Sequence, residues 1–172
     1  KIESALSLYK STNSGINWTS QGGTVNTSAN TITLAGVGSF SRWSASSASA
    51  AASTIKLVLE GFYNTATGRL NMRDTVRAYL RNSTTPFAVV DSALSVIDSV
   101  TFEGSFTFTQ PSGTYYIVVR HRNSIETWSK SGGEPFVAAS VMSYDFTNLV
   151  SKAYLNNMIQ VDTSPVRFGI YS

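Results

Sequence analysis

Val100–Thr109 reads VTFEGSFTFT and places Phe102, Gly104, Phe106 and Phe108 at every second position. Side chains two apart share one face of an extended strand, so this period buries an aromatic row and leaves Glu103, Ser105 and Thr107 to solvent. The segment that follows, GTYYIVVRHR (113–122), opens at the Pro111-Ser112-Gly113 turn and is apolar enough for a central strand. Upstream, DTVRAYLRNS (74–83) alternates Val76, Ala78 and Leu80 with Thr75, Arg77, Tyr79 and Arg81. TIKLVLEGFY (54–63) sets Ile55, Leu57 and Leu59 against Lys56, Val58 and Glu60. PFAVVDSALSVID (86–98) reads as two short strands broken near Asp91, and VMSYDFT (141–147) and PVRFGIYS (165–172) complete about seven. Only NLVSKAYLNNM (148–158) suits a helical turn or two. The expected fold is all-β: an immunoglobulin-like or jelly-roll-type β-sandwich over residues 54–172.

Residues 1–43 read differently. SALSLYK, INWTS, GTVNT and NTITLAG alternate over short lengths and predict four or five strands, separated by Asn13-Ser14-Gly15, Gln21-Gly22-Gly23, Ser28-Ala29-Asn30 and Gly36–Gly38. The run from Ser11 to Trp18, STNSGINW, resembles the Asp-box hairpin, Ser-x-Asp-x-Gly-x-x-Trp, with Asn13 at the aspartate position. The resemblance implies a fold-stabilising corner made by Ser11, Asn13, Gly15 and Trp18, and no active site. A β segment this short buries too little surface to fold unaided. Leu6, Leu8, Ile32 and Leu34 are therefore candidate assembly contacts. The Ser/Ala tract 44–53, SASSASAAAS, is expected to be a linker between this partial segment and the sandwich.

Composition narrows the function. The chain has 172 residues, no cysteine, 13% charged residues and a net charge of +3. A disulfide framework and thiolate metal sites are excluded. No cluster of Lys and Arg offers the electrostatic footprint of nucleic-acid binding, so no nucleic-acid partner is expected. No apolar run reaches the roughly 18 residues of a membrane span. Ser and Thr make up about a quarter of the chain, and with so few charges this suggests solvated strand faces on an extracellular or cell-surface protein. The start at Lys1 without Met or a signal peptide suggests a processed segment of a longer precursor.

Chemistry-bearing residues are sparse. The one histidine, His121, lies near Glu126 in the sequence, and a base oriented by that carboxylate is conceivable. No nucleophile accompanies the pair, and one histidine builds no zinc site. The ten carboxylates form no calcium loop. Catalytic, cofactor and metal residues are thus expected to be none. Asp74-Thr75-Val76, Asp91-Ser92-Ala93 and Asp98-Ser99-Val100 share an Asp-Ser/Thr-aliphatic pattern. It resembles the O-glycosylation acceptor of secreted Bacteroidota-type proteins and makes Thr75, Ser92 and Ser99 candidate acceptors.

The segments LEGFYN, MRDTVRAYLRN, PFAVVDSA, GTYYIVVRHRNSIETWS, MSYDFT and KAYLNNM resemble an uncharacterised β-sandwich module. Such modules stand near the C-termini of large secreted multi-domain proteins, of Bacteroidota and Ignavibacteria type, exported by type IX secretion. The segment from Tyr9 to Trp43 resembles the last strands of a preceding domain. The resemblance implies export and supplies no activity. The function expected is a non-enzymatic structural module whose partners are copies of itself, as in a filament, or neighbouring domains of its precursor. The alternative is a carbohydrate-binding accessory module, for which two or three of the many aromatic side chains would stand exposed in a row.

Overall fold

The computed structural model describes residues 3, 6–16, 18–39, 41–47, 51–138 and 140–172. The protein is all-β and divides into two compact units, residues 1–49 with 109–111 and residues 50–108 with 112–172.

Unit 1 holds five short strands: β1 (Leu6–Ser11), β2 (Thr19–Gly22), β3 (Thr24–Asn26), β4 (Thr31–Thr33) and β5 (Arg42–Ser47). β1 lies between β2 and β5, antiparallel to both, and β3 pairs with β4 as a separate hairpin. Gly15, Gly23 and Gly36 lie between strands and Gly22 ends β2, all four with positive φ, which glycine reaches without steric cost. Ser11 is the one buried side chain among the described residues of 3–45.

Unit 2 is a β-sandwich. Its strands are β6 (Ala51–Lys56), β7 (Tyr63–Asn64), β8 (Arg69–Leu70), β9 (Asp74–Asn82), β10 (Val89–Ile97), β11 (Glu103–Phe108), β12 (Gly113–Arg120), β13 (Thr127–Trp128), β14 (Glu134–Phe136), β15 (Ser143–Asp145), β16 (Ile159–Thr163) and β17 (Val166–Gly169). The larger sheet runs β10-β9-β12, and β12 pairs on its far side with β13 and β14. The smaller sheet centres on β6, with β11 antiparallel on one side and β15 parallel on the other. One apolar core joins them: Val76, Ala78 and Leu80 of β9 and Ile117 and Val119 of β12 meet Ile55, Phe106, Phe108 and Tyr144. Gly104 interrupts the Phe102–Phe108 row for a packing reason. A Cβ there would lie 2.7 Å from both Ile97 Cδ1 and Phe106 Cε2.

Three expectations are corrected. The Ser/Ala tract is strand at both ends: Ser44–Ser47 pair with Leu6–Tyr9, and Ala51–Ser53 pair with Phe106–Phe108. Small side chains tolerate extended backbone, and ladder hydrogen bonds satisfy it; residues 48–50 of that tract lie outside the described residues. Pro86–Asp98 supplies one strand rather than two, because a bulge between Val89 and Asp91 absorbs the break in alternation. Val58, expected on the face opposite Leu57 and Leu59, is buried with them. The chain leaves β6 at Lys56, and Val58 accepts a backbone bond from Ile170 at 2.8 Å beside the Leu59–Ile170 bridge. The 148–158 segment forms two 3-10 turns, Val150–Lys152 and Tyr154–Asn156.

Candidate functional site

In unit 1 the hairpin between β1 and β2 is closed by side chains. Ser11 Oγ accepts from the Gly15 N–H at 2.8 Å and donates to Asn13 Oδ1 at 3.0 Å. Trp18 Nε1 donates back to the Gly15 carbonyl at 3.0 Å, which lays the indole over the turn. Arg42, which sequence reasoning missed, braces it from β5 through a 2.8 Å bond to the Ser14 carbonyl. Asn17 of the quoted motif lies outside the described residues.

Leu6 and Leu8 of β1, Val25 of β3, Ile32 of β4 and Ala45 of β5 line an open groove of about 370 Å3 together with the polar Glu3, Asn26, Thr27, Asn30 and Thr31. Each of the four large aliphatic side chains is only half-buried. Leu34 is half-buried too but does not line the groove. Three of the four candidate assembly contacts are therefore brought together, and Val25 joins them through its pairing with Ile32.

His121 does not meet Glu126. Its side chain is 1% exposed, and Nε2 lies 3.2 Å from Asp74 Oδ2. Nδ1 accepts the Asn123 N–H at 3.2 Å, and the ring packs edge-on against Phe62 at 5.4 Å. With Nδ1 accepting, Nε2 faces the carboxylate at close range without a well-aligned hydrogen bond to it, and the ring is enclosed by the protein. Asp74 also accepts from Arg122 at 2.6 Å. The Thr75 N–H, then His121 and Arg122, hold its carboxyl below the usual range. Among the described residues no group of three or more His, Asp or Glu side chains could hold a metal ion.

The three Asp-Ser/Thr-aliphatic triplets lie on β9, on β10 and on the turn after β10. Thr75 and Ser92 are exposed, and Ser99 is half-buried. Each aspartate has local work: Asp74 and Asp91 each accept the next residue's N–H at 2.7 Å, while Asp98 accepts those of Val100 and Thr101 and pairs with Arg73.

The outer face of the larger sheet carries a feature with no signal in the sequence. Register places Arg81 opposite Tyr116 and Trp128 opposite Val118, so these side chains share that face. Phe87 from the β9–β10 loop and Tyr154 from the second 3-10 turn complete a cavity of about 330 Å3 walled by four aromatic rings. Tyr116, 7% exposed, is its floor. It meets Phe87, Trp128 and Tyr154 at ring separations of 6.0, 5.3 and 6.2 Å, each steeply inclined to it. Arg81 lies 5.0 Å over Trp128 and donates to the Phe87 carbonyl at 3.3 Å. Glu126 accepts from Trp128 Nε1 at 2.8 Å and stands 4.0 Å from Arg81.

β10 is an edge strand of the same sheet. Its exposed face carries Leu94 and Val96, 55% and 53% exposed, and it contains neither Lys nor Pro. Among the described residues no helix is long and apolar enough to cross a membrane. Compared with family models, with curated proteins and with solved structures, the chain matches none of them.

Proposed function

We propose that the protein is a non-enzymatic structural module of the extracellular space or cell surface that associates with copies of itself. The observation that carries this reading is the burial of unit 1. Not one described apolar side chain in residues 3–45 is buried, while Leu6, Leu8, Val25 and Ile32 line an open groove. Apolar surface of this kind gains by contact, roughly 25 cal/mol for each Å2 removed from water.

A second copy is the occupant because the same chain also presents an unlike surface of matching character. Natural edge strands are blunted by charges, Pro, bulges or a cover, and β10 has a bulge only at its start, between Val89 and Asp91, and one bond from β11, Ser105 N–H to Ser95 Oγ. It contains neither Lys nor Pro, runs for nine residues and exposes Leu94 and Val96. A groove on one copy that receives a strand on the next is a heterologous contact, which gives rings where the rotation closes and filaments where it does not. The resemblance of residues 54–172 to exported modules supports the location.

The test is light scattering and negative-stain imaging of the full chain beside the double variant Leu8→Asp, Ile32→Asp. Concentration-dependent assemblies that the variant no longer forms are expected. A wild-type chain that stays monomeric at millimolar concentration overturns the reading.

A further inference from the structure

We propose that the aromatic cavity on the outer face of the larger sheet is a binding site for one neutral sugar ring of an oligosaccharide. The site lies wholly in unit 2 and does not depend on the assembly reading.

Its walls supply the apolar half of the recognition. Phe87 and Tyr154 are 37% and 41% exposed, unusual for rings that the fold could have packed inward. The rings stand steeply inclined to one another rather than stacked, which keeps space open between them. At about 330 Å3 the cavity is near the small end of ligand sites, which run from roughly 300 to 1,000 Å3. That suits one ring-sized group, not a helix face or a long apolar chain.

Polar groups supply the other half. Among the described residues the Tyr154 hydroxyl finds no hydrogen-bond partner, and the Tyr116 hydroxyl accepts from the Gly132 N–H at 3.1 Å, which leaves its own proton to donate. Glu126 uses Oε1 for Trp128 and Arg81, and among the described residues Oε2 has no partner and can accept. A wholly apolar occupant would strip water from these groups and return nothing for it. A ring with C–H faces and hydroxyl edges satisfies both halves.

Charge selects a neutral ligand. An exposed indole face attracts cations, but the Arg81 guanidinium already lies over Trp128. Arg81 and Glu126 offset each other, so an anion gains little either. Both rims are held in shape by residues in the left-handed region: Phe87 at φ 56°, and Leu155 and Asn156 at 53° and 57° beside Tyr154. Bulky residues adopt this conformation at a cost, and such strain clusters where a site is pre-organised.

The experiment titrates the full chain with cellohexaose, xylohexaose, mannohexaose and chitohexaose, beside choline and hyaluronan hexasaccharide, by calorimetry and by indole fluorescence. At least one neutral hexasaccharide is expected to bind and to shift the Trp128 signal. Tyr154→Ala, at an exposed rim position, should weaken that binding about tenfold, the loss of one ring contact. Glu126→Gln should weaken it several-fold, and both variants should keep the wild-type urea midpoint. Leu8→Asp, distant in function, should bind as the wild type does, which separates this site from assembly. The proposal is overturned if no neutral hexasaccharide binds at about ten millimolar, if choline or hyaluronan binds more tightly than the best of them, or if Tyr154→Ala leaves binding unchanged.

Discussion

The head-to-tail contact proposed between the unit 1 groove of one copy and β10 of the next predicts more than simple loss of assembly. Leu8→Asp spoils the groove of a copy and leaves its β10 intact. Leu94→Lys spoils β10 and leaves the groove intact. Each variant alone should be monomeric, and an equimolar mixture should form dimers and nothing longer. The magnitude follows from burial. Burying a Leu, Ile or Val side chain completely is worth about 1.5–3 kcal/mol, so the four half-buried groove side chains have about 4 kcal/mol still to gain. Leu94 and Val96, just over half exposed, add about 2 kcal/mol. Main-chain bonds along β10 contribute about 1 kcal/mol each. Set against an association cost of about 4 kcal/mol or more, this leaves a contact in the micromolar to millimolar range. A carboxylate at position 8 removes its share of burial and desolvates a charge, weakening the contact about a hundredfold. Sedimentation equilibrium of the wild type, of each variant and of the mixture reads these populations directly. A mixture that stays monomeric while the wild type polymerises would refute the pairing of these two surfaces. So would single variants that polymerise like the wild type.

Other consequences concern stability and local motion. His121→Ala should cost about 2–4 kcal/mol in urea unfolding, because it opens a cavity beside Phe62 and strips the Asn123 N–H and Asp74 of a partner; an unchanged midpoint would show that the cluster carries no load. Three aspartates are held below the usual carboxylate range: Asp98 by the Thr101 and Val100 N–H groups and then Arg73, Asp162 by the Tyr63 hydroxyl and then the Ser164 N–H, and Asp74 by the Thr75 N–H. A depressed folded-state pKa gives stability that is complete above the unfolded value, about 4, and is lost as pH falls through the folded one. The urea midpoint should accordingly drop between pH 4 and pH 2, and less steeply in Asp98→Asn; a flat profile would contradict the bonding described. In hydrogen exchange on the Leu94→Lys monomer, amides of β1 and β4 should exchange orders of magnitude faster than those of β9 and β12. Equal protection in the two units would show that unit 1 has a core of its own.

Much of unit 2 was legible because its buried strands keep a strict period of two. Val76, Ala78 and Leu80 are each fully buried while Thr75 and Arg77 are exposed, and β11 alternates without exception from Glu103 to Phe108. Periodicity fails where burial is not one-sided. Leu57, Val58 and Leu59 are all inside because the chain there runs between Phe102 and Ile170, a long-range arrangement that no local window contains. The Ser/Ala strands escaped for the opposite reason, since neither face of Ser44–Ala45 is apolar and no contrast marks it. The aromatic cavity was invisible because Phe87, Tyr116, Trp128 and Tyr154 come from four separated segments, and only the pairing of β12 with β9 and β13 aligns them. His121 found Asp74 rather than the nearby Glu126 for the same reason: sheet register, not sequence distance, decides which side chains meet.

The two units divide the physical labour unequally. Unit 2 places Ile55, Phe106, Phe108, Leu80 and Ile117 in full burial and pairs β12 on both sides, so it has an apolar core of its own. Unit 1 spends its ladder bonds on five strands of three to six residues and closes its hairpin with Ser11, Trp18 and Arg42, yet leaves its aliphatic side chains half in water. Polar closure fixes shape without supplying the burial that drives folding, because hydrogen bonds to protein largely replace hydrogen bonds to water. A unit with a defined shape and an unfilled apolar groove has its surface prepared before contact, so a partner meets little ordering cost on arrival. Under the proposed assembly, partner binding should therefore be felt first by the groove and by the strands that line it, while β9 and β12 of the sandwich core change little.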